Sequence, residues 1–495
     1  MPLGVREYVA IVLLLVIFVV MLYTIAKDVM ERAAVVLICA VGAYLVVIWV
    51  LGFQPGVVVG YLMGTEDDSY ANFHATALIF GVMVISTVCY RTGFFQFVAF
   101  QLIKLTKGKP VKVLWVVALL TFAVSSVLAD SITAIIMIPL TVTVCKTLRL
   151  NPLPYIIIQS FCIKIGATVL PISSIPSLLI AAAQGISFTE YILSAGLISI
   201  GSVFIAILLF QLVFHFRLSE SEFNEVDVLM QFNPWTFVKD KKMMQIAAGT
   251  FFTAIACFIV IPPEILKPDA IAIAAAAFLF IVNHNNTRQI LKEIDYSLLL
   301  YLLGVFIVTG GLQDAGLIDL MGMSLQSIGV NNTGLAFLML FWIGAGASAF
   351  IDNIPITQIM IPLINVMFGA PGTPSAKLGG TGLALGTIWG DNLSPFGDTI
   401  LPLSIARNNK VEIQPKDFAR VSTPLTLMLY TVISIGVLLL FDPLVGGIVL
   451  VCAVTGILVL YFVLRWRKGG SMAVGEARPG GPPREKLSLV SSRRR

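Results

Sequence analysis

The stretch "SAFIDNIPITQIMIPL", residues 348–363, sets an aspartate inside a strongly apolar run. Upstream, "LADSITAIIMIPL", residues 128–140, has the same ingredients: an aspartate, a threonine, then the identical "IMIPL". A charged side chain unpaired at the centre of a bilayer costs roughly 2.5–3.5 kcal/mol on insertion scales. A chain that carries this cost twice, in the same local pattern, has a use for both carboxylates.

The surrounding composition says that a bilayer is the solvent. The chain has 495 residues, 58% hydrophobic and 12% charged, with mean hydropathy +0.95. Runs such as Tyr8–Ala26, Ala33–Gly52 and Val421–Leu440 are long enough to cross a hydrocarbon core about 30 Å thick as helices. This is the pattern of an all-α polytopic membrane protein. The first apolar run is followed by Lys27, Asp28, Glu31 and Arg32 rather than a small-residue cleavage site, so it reads as a retained span. The net charge of +5 is modest and partly tail-borne, which argues against nucleic-acid binding. Six cysteines lie singly in apolar runs and suit packing, and the three histidines form no cluster. No HExxH, P-loop, GxSxG or paired catalytic His/Cys is present, so an enzyme is not expected.

Positive loops orient the spans. Lys104, Lys107, Lys109 and Lys112 precede one apolar block, and Lys146 and Arg149 follow it. Arg288 and Lys292 mark a second inside loop, as do Arg407, Lys410, Lys416 and Arg420, whereas "MGTEDDSY" (63–70) fits the outside. The threading gives an outside N-terminus and a cytoplasmic C-terminus, in the plasma (inner) membrane. Block 113–145 enters and leaves from the inside, on arms of about 16 and 14 residues that span roughly 21–24 Å. Two short full spans and a re-entrant hairpin both fit. Block 335–368 has the same shape, with its ends on the outside.

A broken segment follows each block: 155–185, interrupted by Pro171, Ser173, Ser174, Pro176 and Ser177, and 378–407, interrupted around 390–398. Asp130 and Asp352 are 222 residues apart, and Gly166 and Gly386 are 220 apart. Matched, interrupted helices in two halves of opposite threading are the sequence pointer to an inverted-repeat transporter. Non-helical backbone at membrane depth must be buried in protein or line a water-filled cavity. The expectation is therefore a shared mid-membrane site built from Asp130, Ser131, Thr133, Lys164, Ser173, Ser174, Ser177, Asp352, Asn353, Thr357, Asp391, Asn392, Ser394, Asp398 and Thr399. Asp352, Asn353, Asp391 and Asp398 are the candidate Na+ ligands, with Asp352, beside an amide and a threonine, leading. Four carboxylates against Lys164 make a net-negative inventory suited to a small cation or to proton exchange. The plain alternative is a buried Lys164–Asp130 bridge, with Asp391 as a helix cap.

These motifs resemble the ion transporter superfamily of arsenite permeases, citrate/dicarboxylate permeases, sodium/proton antiporters and the melanosomal P protein. "SAFIDNIPITQIMIPL" is similar to P-protein and NhaD-like members. "KIGATVLPISSIPSLLIAAAQG" (164–185) resembles the "IGG.AT.IG.PPN" segment, with serines replacing its Gly-Asp and Ser177 its Asn. "GDNLSPFGDT" (390–399) resembles the "GD..SP.SDT" signature of NhaC-type antiporters. The resemblance covers about residues 30–440 and implies two inverted repeats, each with a re-entrant hairpin and a broken transmembrane helix. About 11 full spans follow.

The implied division is an N-terminal helix (1–30), a first repeat (31–215), a cytoplasmic linker (216–242), a connecting helix (243–268), a second repeat (269–441), a C-terminal helix (442–466) and a disordered basic tail (467–495). The expected function is Na+/H+ antiport without a cofactor, Na+ and/or H+ being the coupling or transported ions. A Na+- or H+-coupled permease for a carboxylate or oxyanion is the second reading, and a non-transporting membrane subunit the third. The expected partners are a small ion and the lipid bilayer, with a homodimer possible by resemblance.

Overall fold

The computed structural model describes residues 4–27, 29–66, 70–218, 233–318, 320–322, 333–394 and 400–450. The expected C-terminal helix beyond residue 450, the basic tail, and most of the 216–242 linker lie outside them. Among the described residues all regular structure is helical. Among the described residues, eight helices are long and apolar enough to cross a membrane, or nine if the pair Pro268–Val282 and His284–Glu293, bent by 94°, counts as one span. This count covers the described residues alone, so it leaves out the expected helix 442–466, and it includes one hairpin arm, Asp130–Thr147.

Those short elements form two matching sets. Pro110–Ser125 and Asp130–Thr147 are the arms of a first helical hairpin. Thr333–Ser348 and Asn353–Phe368 are the arms of a second. The second arm of the first hairpin has 18 residues, longer than the sequence spacing suggested. Both second arms carry an internal proline, Pro139 and Pro362, which removes one i→i−4 hydrogen bond at the same place in each.

A broken helix follows each hairpin. The first runs Pro152–Gly166, breaks at a 3₁₀ turn over Pro171–Ser173, and resumes at Ile175–Ala183. The second runs Pro374–Gly390, breaks at a 3₁₀ turn over Asp391–Leu393, and resumes at Ile400–Asn408. The residue closing each turn is an extended serine: Ser174 at φ −143°, ψ 148° and Ser394 at φ −130°, ψ 147°. Prolines and serines at both breaks are thus more than ordinary kinks. The break geometry recurs at an offset of 220 residues.

Packing recurs with it. A Cβ on Gly166 would lie 2.5 Å from the Phe122 carbonyl oxygen, and one on Gly386 would lie 2.4 Å from that of Phe341. Each broken helix therefore rests directly on the backbone of its own hairpin's first arm, the small-residue packing that lets membrane helices approach closely. The far halves cross over. Ile175–Ala183 packs against Asn353–Phe368, and Ile400–Asn408 packs against Asp130–Thr147. Gln184 Nε2 donates to Asn365 Oδ1 at 3.1 Å and Lys146 Nζ to the Asn409 carbonyl at 3.2 Å, tying the crossings. Because each hairpin is gripped by both broken helices, the two hairpin tips and the second break meet at the end of Pro152–Gly166.

Candidate functional site

At that place sits Lys164. It falls in the last turn of Pro152–Gly166, and its side chain is 3% exposed. Its Nζ lies 2.8 Å from Asp130 Oδ2 and 2.8 Å from Asp391 Oδ2. Asp130 opens the second arm of the first hairpin, and Asp391 opens the 3₁₀ turn of the second broken helix. The ammonium therefore joins the two halves of the chain.

The second hairpin reaches the same cluster through both sides of its tip. Ser348, ending the first arm, donates to Asp391 Oδ1 at 2.5 Å, and Asn353, opening the second, donates from Nδ2 to Asp391 Oδ2 at 3.1 Å. From the first hairpin, Ser125 Oγ lies 3.4 Å from Asp130 Oδ1 and donates to the Ile163 carbonyl at 2.6 Å. Asp391 is as buried as Lys164, whereas the Asp130 side chain keeps 23% exposure. Two carboxylates share one ammonium, so the cluster carries one net negative charge when all three groups are ionised. Charges this deep must be paired. The open side at Asp130 is where an ion from water would first meet it.

The two expectations for Lys164 merge here. It does bridge to Asp130, and it bridges equally to Asp391. Asp391 is more than a cap, since its carboxylate is held from three sides by side chains. Asp352, the leading sequence candidate, is placed differently. Its Oδ1 accepts from the Ile354 backbone N–H at 3.0 Å, capping the second arm, and its Oδ2 lies 3.3 Å from Arg32 Nη1. The neighbouring Asn353 faces the cluster in its stead.

The three serines of the first break hold that break together. Ser173 donates to the Ala167 and Leu170 carbonyls at 2.8 and 2.6 Å. Ser174 caps Ile175–Ala183 and donates to Ser177 Oγ, which also accepts from Tyr191 Oη. Thr357 Oγ1 donates to Thr387 Oγ1 at 3.4 Å across to the second broken helix. Asn392 donates to the Phe161 carbonyl at 3.4 Å, but its Oδ1 has no partner among the described residues, nor has Thr133 Oγ1. Ser394 is buried and Ser131 exposed. Asp398 and Thr399 lie outside the described residues.

Sequence reasoning missed Ser125, Ser348 and Arg32. The first two stand five and four residues before the aspartates, a spacing that could have flagged them. Among the described residues no three His, Cys, Asp or Glu side chains gather as a metal cluster. The donor set is two carboxylates, hydroxyls and amides, which suits a hard cation or a proton.

Residues 13–378 match the family described as citrate transporter (CitMHS). An uncharacterized transporter of Mycobacterium tuberculosis is 26% identical over 360 residues, covering 72% of this chain and 83% of the relative. The magnetosome protein MamN of Magnetospirillum gryphiswaldense is 24% identical over 338 residues, covering 67% of this chain and 76% of the relative. The YdaH transporter structure of Alcanivorax borkumensis superposes with a TM-score of 0.52 at 13% identity, over 77% of this chain and 86% of that one. That likeness concerns the fold.

Proposed function

Because the chain belongs to the citrate transporter family, and so is an integral membrane transporter, we propose that it exchanges Na+ for H+ at the Lys164–Asp130–Asp391 cluster. One observation carries the reading: a buried lysine lies 2.8 Å from each of two carboxylates contributed by the two halves of the chain. With no ion bound, the ammonium supplies the positive charge that the carboxylates require. Na+ arriving between them takes its place, and the displaced ammonium, left without its partners in a buried setting, releases a proton. The cluster's net charge is the same before and after, so one H+ leaves for each Na+ that enters. Loss of Na+ and reprotonation of Lys164 reverse the step on the other side of the membrane.

The crossed packing supports a reading by alternating access. Each hairpin touches both broken helices, and a rocking of one repeat against the other would open Asp130 to one side or close it. In this reading the two repeats are inverted, the N-terminus is outside and the C-terminus cytoplasmic.

The family's description favours a second reading, a Na+- or H+-coupled permease for a carboxylate or oxyanion, with Lys164 receiving the anion. Against it, aspartates already occupy the start of both second arms, at Asp130 and Asp352. Helix N-termini are where an anion would otherwise bind.

Proteoliposomes carrying a pH gradient and an internal pH dye, offered Na+, K+, Li+, citrate and arsenite separately, decide between them. Na+-triggered dissipation is the expected result. Dissipation with citrate or arsenite alone would overturn the antiport reading.

A further inference from the structure

Away from the ion cluster, a cleft of about 340 Å³ lies where three helix ends and the linker meet. It is lined by Arg91 and Thr92 at the end of Ala71–Thr92, by Lys239 and Asp240 of the linker, and by Asn283 and Asn285 at the 94° bend after Pro268–Val282. This volume falls at the low end of small-molecule sites and far exceeds the roughly 30 Å³ that one water occupies in the liquid.

The linker wall is fixed in place. Gly93 adopts φ +79°, and a Cβ there would sit 2.0 Å from the Phe237 carbonyl oxygen, so only glycine admits this approach. Trp235 lies against Phe97 with ring centroids 4.5 Å apart, and Phe237 against Phe100 at 5.7 Å. The segment carrying Lys239 is thereby held at the cleft.

The charged groups of the lining are Arg91, Lys239 and Asp240. Arg91 Nη2 donates to Gln289 at 2.8 Å, but Nη1, closed off from solvent and 3.4 Å from Glu293 Oε1, makes no hydrogen bond among the described residues. Asp240 is the one acid in the lining among the described residues, and its Oδ1 is committed to the Lys242 and Met243 backbone N–H groups. The plain alternative is that Arg91 and Lys239 only offset the negative ends of the helices Ala71–Thr92 and Pro268–Val282. That accounts for charge but not for a guanidinium nitrogen buried without a hydrogen bond, nor for a cleft of ligand size.

We propose that this cleft binds a small oxyanion of the phosphate class, held by Lys239, Arg91 and the Asn285 amide. Such a ligand draws the Arg91 fork off Glu293 and fastens the linker end to the bend between Pro268–Val282 and Thr287–Glu293. It would restrain the motion of the connection between repeats, and so regulate transport from outside the ion path.

The test uses the purified full-length protein in neutral detergent. Inorganic phosphate is titrated against chloride at constant ionic strength, and phosphatidylglycerol is titrated in a parallel arm, with thermal unfolding as readout. A saturable rise in Tm in either arm is expected. In Lys239→Gln the half-saturating concentration rises about tenfold, the factor corresponding to one lost charged contact, whereas exposed Lys416→Gln leaves it unchanged. Saturation by phosphate identifies a free anion, and saturation by the lipid alone identifies a headgroup. An unsaturable response in both arms, or equal half-saturation in wild type and Lys239→Gln, would overturn the proposal.

Discussion

Replacing Lys164 with glutamine removes an ammonium that lies 2.8 Å from both Asp130 and Asp391. Breaking a buried ion pair by deleting one partner typically costs about 3–5 kcal/mol, because the surviving charge is stranded. Asp391 cannot relax into water, since its side chain is 3% exposed. The variant therefore has two escapes: protonate a carboxylate, or take a cation from solution. If Na+ is the ion the cluster is built for, Na+ becomes a stabilising ligand of Lys164→Gln. A ligand at 100 times its Kd contributes about 2.7 kcal/mol to the folded state. At somewhat under 2 °C per kcal/mol for a chain larger than 250 residues, the expected Tm rise is roughly 3–5 °C. Wild type, whose own ammonium competes for the position, should respond by less than half as much. The assay is thermal unfolding in detergent, with NaCl exchanged for choline chloride at constant ionic strength, and with Lys164→Gln/Asp391→Asn as control. With the second carboxylate replaced by a neutral amide, the Na+ response should be lost. Equal Na+ dependence in wild type and Lys164→Gln, or a Lys164→Gln protein as stable as wild type without Na+, would refute the reasoning.

Other outcomes follow from the same contacts. Gly386→Ala should lower stability by about 1–3 kcal/mol, because its Cβ would meet the Phe341 carbonyl at 2.4 Å, whereas Gly346→Ala, with nothing within 4 Å, should be neutral or better by thermal unfolding. Asp352→Asn keeps the helix cap and loses an ion pair between an arginine 45% exposed and a carboxylate 6% exposed, at a cost of about 1–3 kcal/mol, between those of surface and buried pairs. Most transport should survive, and its abolition would return Asp352 to the ion path. Cysteines placed singly at 104–112 and 407–420 should be labelled from the same side of the membrane. Labelling of 104–112 from the side of 66–68 would break the inverted threading.

The sequence carried the two hairpins, the two breaks and their spacing because each rests on a local rule: proline and glycine interrupt helices, and apolar length sets spans. It also placed Lys164, Asp130 and Asp391 among the candidates, since ionisable residues in apolar runs are conspicuous by cost alone. What it could not rank was Asp352 against Asn353. Adjacent residues at a helix start point about 100° apart, so one position of register decides which enters the cluster. A clue was present. Pro139 and Pro362 are 223 residues apart, not 222, and that offset sets Asn353, rather than Asp352, opposite Asp130. Ser125 and Ser348 stayed hidden because serines in apolar helices usually bond their own backbone. Their turn toward the carboxylates appears only once the hairpins are folded.

The most direct test of the account is sodium uptake into proteoliposomes driven by an outward proton gradient, measured on wild type and Asp391→Asn side by side. Asn is nearly isosteric and leaves Lys164 with Asp130 as its partner, so the variant should insert and fold while losing the second carboxylate. Wild type should show proton-driven Na+ uptake, and Asp391→Asn only background uptake, at comparable thermal stability. Undiminished Na+ uptake by Asp391→Asn, or none by wild type while citrate is taken up, would contradict it.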